Sequence, residues 1–137
     1  MINPVVEKRF EYKGIPCVIL FMVPGYRCGY VKVPESHEWH GKDIYDLDVN
    51  CHCGLTYAER YLYGQEDGWW IGFDCAHACD GYDFEKAKEL FVDDKDAMKQ
   101  IEFMEGCKYL KGVRVRSLAY CETECMKIVN QMLAELE

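Results

Sequence analysis

Trp69-Trp70-Ile71-Gly72-Phe73-Asp74-Cys75-Ala76-His77-Ala78-Cys79-Asp80 has the pattern of a buried strand that runs directly into a polar cluster. In β geometry Trp69, Ile71, Phe73 and Cys75 share one face, while Trp70, Gly72 and Asp74 share the other. The first face is wholly apolar and belongs to a core. The second offers an indole plate, a position without a side chain, and a carboxylate. His77 and Asp80 follow just past the strand end, where loops on a rigid scaffold commonly hold functional groups. The stretch predicts a sheet and a site at one end of it.

Upstream, the chain has the pattern of an antiparallel β unit. Arg9-Phe10-Glu11-Tyr12 leads into Lys13-Gly14, a turn, and 16–23 is a nearly continuous apolar run with Pro16 at its entry. Pro24-Gly25 turns the chain again, proline presetting the first corner and glycine the second, and 26–33 returns as the next strand. The loop at 34–41 carries His37, Trp39 and His40 and is expected to be an ordinary surface loop, with a lid over the sheet face as the alternative. The cleanest alternation follows: Leu47, Val49, Cys51 and Cys53 on one face, Asp46, Asp48, Asn50 and His52 on the other. Continued parity adds Gly54 and Thr56 to the polar face, with Gly54 as a bend. Residues 61–68 have the composition of a polar loop.

The last third is helical. Phe84, Ala87, Leu90 and Phe91 fit a short helix with Asp83 as its N-cap, and Ala97, Ile101 and Met104 continue at helical spacing as far as Gly106. Val113-Arg114-Val115 suits a short edge strand. Leu118, Cys121, Cys125, Ile128, Met132 and Leu136 make one apolar stripe on a final helix. Strands first and helices last predict an α+β fold, a mainly antiparallel sheet with C-terminal helices packed on one face. Its length of 137 residues suits a single domain over 1–137.

Half the residues are apolar and 14% are aromatic, which excludes a disordered chain. A net charge of −8 opposes binding to nucleic acid, which needs a basic stripe, and opposes attraction to an anionic membrane. No apolar run approaches the ~20 residues of a membrane span. The start, Met1-Ile2-Asn3-Pro4, lacks the pattern of a secretory signal, so a cytoplasmic location is expected. In that compartment the nine cysteines are expected to be reduced thiols, several of them buried as small hydrophobes.

One dense polar set stands out: Asp48, Asn50 and His52 with Asp74, His77 and Asp80. If the two strands are neighbours, His52 can meet Asp74, and a histidine held by a carboxylate serves as a base, a metal ligand or a ligand anchor. Trp70 beside Gly72 on the same face suggests a platform for a flat group. Cys51-His52-Cys53 with Cys75 to Cys79 has zinc-type donors but lacks Cys-x-x-Cys knuckles, and strand parity points Cys51 and Cys53 away from His52. A divalent metal on His52, Asp74, His77 and Asp80 is the softer alternative. Cys79 remains open as a nucleophile beside a histidine, whereas parity buries Cys75.

Gly29-Tyr30-Val31-Lys32-Val33-Pro34, His37, Gly41, His52-Cys53-Gly54-Leu55-Thr56-Tyr57 and Trp69 to His77 with Asp80 form an ordered motif series. In these motifs the chain resembles a family of small hypothetical proteins common in phage and prophage genomes. It departs from that family at Cys53 and Cys79, where glycine is expected. The matched polar positions are His37, His52, Thr56, Trp70, Asp74, His77 and Asp80. That family has no settled activity, so the resemblance implies a setting: a small phage-type protein in the host cytosol, acting in counter-defence. The expectation is a binder of a small, nucleotide-like ligand, with Trp70 stacking a flat group and His37, His52, Thr56, Asp74, His77 and Asp80 lining its polar edge. Arg27, Lys32, Arg60, Arg114 or Arg116 would offset a phosphorylated ligand's charge. A homo-oligomer is compatible with such a role. The alternatives are a hydrolase, metal-dependent or not, using His52, Asp74, His77 and Asp80, and an acidic interaction protein that inhibits a host defence complex.

Overall fold

A computed structural model describes residues 2–107 and 113–134. Strands β1 (Val5–Tyr12), β2 (Ile15–Met22), β3 (Tyr26–Val33), β4 (Tyr57–Glu59) and β5 (Trp69–Asp74) form one antiparallel sheet in the order β1-β2-β3-β5-β4. The hairpin turns fall at Lys13-Gly14, where both residues have positive φ, and at Pro24-Gly25. Helices α1 (Phe84–Leu90) and α2 (Lys95–Glu105) follow, then α3 (Leu118–Ala134). The fold is α+β, with the C-terminal helices packed against a mainly antiparallel sheet. Between them, β6 (Asp80–Gly81) and β7 (Arg114–Val115) form a two-residue parallel ladder.

Ile15, Cys17, Ile19, Val31, Val33, Ile71 and Phe73 present one face of the sheet to Cys121, Cys125, Ile128, Val129 and Met132 of α3. The predicted stripe of the final helix is thus its buried face, although Leu136 lies outside the described residues. Gly29 admits this packing: a Cβ there would meet Phe73 Cζ at 2.5 Å and Cys125 Sγ at 2.8 Å. Phe21, at the far end of β2, is covered by Ala87 and Phe91 of the α1 region and by Ala97 and Ile101 of α2. Asp83 caps α1 by accepting from the Lys86 amide at 3.1 Å, and Gly106 ends α2. Among the described residues no helix is long and apolar enough to cross a membrane.

The opposite face departs from the expectation of an open polar wall. Val18, Leu20, Cys28, Tyr30 and Trp70 make a second apolar cluster there, covered by Leu62 of the 60–68 segment. Strands β2 and β3 supply most of its residues, so the face is apolar even where β5 alone alternates. Gly72 is the gap that Tyr30 and Tyr57 fill from the strands on either side, their rings 5.1 Å apart and edge-on.

The 47–56 segment is not a strand. Val49 and Cys51 are buried as the alternation predicts, but the backbone of Asn50 is paired with a helix side chain. Gln131 of α3 accepts from the Asn50 amide at 2.8 Å and donates to its carbonyl at 2.7 Å. A buried-side alternation reports burial and is silent about the backbone's partner. With its backbone satisfied by α3, this segment lies over the end of the sheet, where two tight turns meet.

Candidate metal centre

The first turn is 51–54, closed by the Gly54 amide donating to the Cys51 carbonyl at 2.9 Å. His52 and Cys53 are its two central residues, and Cys53 has φ of 53°, in the left-handed region that favours glycine. The second turn is 77–80, just past β5, closed by the Asp80 amide donating to the His77 carbonyl at 2.9 Å. It carries His77, Cys79 and Asp80.

Asp80 is the hub. It is 4% exposed, yet its carboxylate accepts from four N–H donors. Nε2–H of His52 lies 3.0 Å from both oxygens, and Nε–H of Arg116 donates to Oδ1 at 2.8 Å. The His77 amide and Nδ1–H each donate to Oδ2 at 3.1 Å. Burial alone works against ionising Asp80, but the bonds from Arg116, His52 and His77 outweigh it and hold the carboxyl well below the usual carboxylate range. With its proton held on Nε2, His52 uses Nδ1 to accept from the Tyr120 hydroxyl at 2.7 Å. Arg116 is placed in turn by Arg27, whose Nη1 donates to the Arg116 carbonyl at 3.2 Å while its other nitrogens clasp Glu7 and Asp83. Arg116 also lies over the Tyr120 ring, 5.2 Å from its centre.

One donor atom each from His52, Cys53 and His77 lies within 4.8 Å of the other two. A tetrahedral zinc site, with Zn–N of ~2.0–2.1 Å and Zn–S of ~2.3 Å, sets its donors roughly 3.3–3.8 Å apart. Closing the set around an ion therefore needs inward shifts on the order of 1 Å, within reach of side-chain rotation. His52 is buried, His77 is half-buried and Cys53 is exposed, so solvent reaches the set from one side. Histidine, thiolate and a carboxylate that hydrogen-bonds both imidazoles are the components of zinc-class sites with an outer carboxylate.

The structure brings His52, His77 and Asp80 together, as the sequence suggests, but with Asp80 rather than Asp74 holding His52. Asp74 sits at the rim: its Oδ1 accepts from the Ala76 amide at 3.1 Å and lies 3.8 Å from His77 Nδ1. The remaining expected residues are elsewhere. Trp70, expected as an exposed plate, is 2% exposed, because the 60–68 segment covers its face and the Glu66 carbonyl accepts its indole N–H at 3.3 Å. Thr56 is exposed, and its amide donates to the Gly72 carbonyl at 2.9 Å. His37 is buried under the end of α3, donating from Nε2 to the Met132 carbonyl at 2.7 Å and accepting the Trp39 amide on Nδ1 at 3.0 Å. With Trp39 in the core, the 34–41 loop is an anchor for α3 and not a lid over the sheet.

Strand parity sets Cys53 opposite His52, which hides it as a ligand in the sequence. A turn puts consecutive side chains at one corner, and Gly54 was the available signal. Tyr120 and the pairing of Arg116 with Asp80 join from far along the chain and left no local pattern. Surface cavities of about 320 to 560 Å3 open over α2 and around Pro16 and Lys32, away from His52, Cys53, His77 and Asp80. No family model, no curated protein and no solved structure matches the chain.

Proposed function

We propose that this chain is a metalloprotein that holds one divalent, zinc-class ion between its two site turns, with His52, Cys53 and His77 as ligands. The observation that carries the reading is the convergence of these three donors to within 4.8 Å, from residues 24 and 25 positions apart in sequence. Asp80 supports it as the outer carboxylate, orienting both rings. An ion at His52 replaces either the Tyr120 hydroxyl at Nδ1 or Asp80 at Nε2; binding releases the Cys53 thiol proton in both cases and the Nε2 proton in the second, so it tightens as pH rises. Native mass spectrometry of the full chain, stripped with a chelator and then given zinc, tests this. One ion per chain in the wild type and loss of it in His77→Ala is the expected result. A wild-type chain that stays metal-free at micromolar zinc refutes the proposal.

Hydrolysis is the second reading, favoured by the three-donor count and the solvent-facing side of the set. Three protein ligands leave a tetrahedral position for water, whose pKa an ion can lower to about 7. The metal-loaded chain would then cleave activated esters or phosphodiesters, and the stripped chain and His77→Ala would not. Equal rates in all three samples remove this reading.

A further inference from the structure

Each of the two turns carries one histidine and one cysteine: His52 with Cys53, and His77 with Cys79. Cys79 Sγ lies 3.9 Å from Asp80 Oδ1 and 3.9 Å from Arg116 Nη2, beside the carboxylate that both imidazoles touch. Cys79 is not among the three residues whose donor atoms lie within 4.8 Å of one another, so its side chain must rotate to join them. Among the nine cysteines, Cys53 and Cys79 are the exposed ones, while six are buried. An exposed cysteine adds little to packing, and the one at position 53 stands where glycine would suit the backbone better.

We propose that Cys79 is the fourth ligand, so that His52, Cys53, His77 and Cys79 close around zinc as a two-nitrogen, two-sulfur site built from paired turns. The proposal rests on the metal reading above and names the class of ion and the closure of its shell. Charge agrees with it: two thiolates neutralise a divalent ion, while Asp80 and Arg116 neutralise each other 2.8 Å apart. One thiolate alone would leave an uncompensated positive charge against the partly buried guanidinium. Two soft sulfur donors select zinc, cobalt or cadmium over magnesium, calcium or manganese. A closed shell has no open position for substrate water, and its ion pins the 51–54 turn to the end of β5.

Cobalt(II) distinguishes the arrangements, because its bands report both geometry and thiolate count. The full chain, reduced and stripped of metal, is titrated with cobalt in the wild type, Cys79→Ser, Cys53→Ser and His77→Ala. The expected wild-type result is one equivalent bound with the visible bands of a tetrahedral ion and a near-ultraviolet sulfur-to-metal band. In Cys79→Ser and in Cys53→Ser that band falls to about half per bound cobalt, and affinity drops at least about tenfold. Both positions are exposed, and unchanged far-ultraviolet circular dichroism of the apo variants verifies their fold. A Cys79→Ser variant with wild-type band intensity and affinity overturns the fourth-ligand assignment while leaving the three-ligand site standing. A wild type that binds no cobalt, or a His77→Ala variant that binds as the wild type does, overturns both.

Discussion

Replacing Asp80 by asparagine keeps the size of the side chain, removes its charge, and turns one acceptor into a donor facing other donors. In the metal-free chain Asp80 accepts from His52, His77 and Arg116 while 4% exposed. Breaking a fully buried ion pair costs ~3–5 kcal/mol. The Arg116 side chain is 16% exposed and recovers some hydration, which brings the expected loss to roughly 2–3 kcal/mol. For a chain of this length that lowers Tm by about 6–12 °C. The loss also depends on pH. The Asp80 carboxyl is held below its ordinary value in the folded chain, so its contribution is complete above the unfolded pKa of ~3.9 and fades as pH falls from there through the folded value. Urea unfolding in the presence of chelator at pH 7, 5 and 3 should give an unchanged m-value, a clear gap between wild type and Asp80→Asn at pH 7 and 5, and a smaller gap at pH 3. A gap below about 0.5 kcal/mol at pH 7, or one that fails to shrink in acid, refutes the view of Asp80 as an ionised hub. Asp74→Asn at the rim, one-third exposed, should stay within about 0.5 kcal/mol throughout.

Other substitutions separate packing from site chemistry. Gly72→Ala places a methyl 2.5 Å from Tyr30 Cδ1 and against the Gly29 carbonyl, and should cost about 2 kcal/mol or more in urea unfolding, whereas Gly54→Ala, at φ of 84° with open space around it, should cost about 1 kcal/mol. Cys53→Gly relieves a left-handed cysteine and should leave the apo chain at least as stable, while zinc raises its Tm less than it raises that of the wild type. In a thiol-reagent assay of the native apo chain, Cys53, Cys79 and the half-buried Cys107 should react first. Cys17 and Cys28, whose thiols burial pushes up to about 12, should react only on unfolding, and zinc should protect Cys53 and Cys79.

The hairpins and helix ends were legible because single residues mark them: Lys13-Gly14, Pro24-Gly25, the Asp83 cap and Gly106. The face of α3 was legible from its stripe, since helical periodicity and burial coincide there. Residues 47–56 were legible only in part. Val49 and Cys51 alternate as a half-buried strand does, but Gln131, 81 residues later, supplies the hydrogen bonds that a strand would have found in a sheet. Trp70 was misplaced for a related reason: which residues cover the second face of a sheet is decided by a loop, here with Leu62 at its centre, whose own sequence has no period. The site divided along the same line. His52, His77 and Asp80 were recognisable by residue type, and Asp80 rather than Asp74 as the partner of His52 followed from a turn in place of a strand.

Gln131 standing in for a neighbouring strand has a consequence for the order of events during synthesis. Both site turns leave the ribosome well before α3 does, and until it follows the 51–54 turn has its contact with Asp80 but lacks the bonds of Asn50 to Gln131 and of His52 to Tyr120. An ion that binds only once those α3 contacts stand acts as a latch and not as a template. Its kinetic signature is slower unfolding with an unaltered folding rate, the behaviour of contacts made after the transition state.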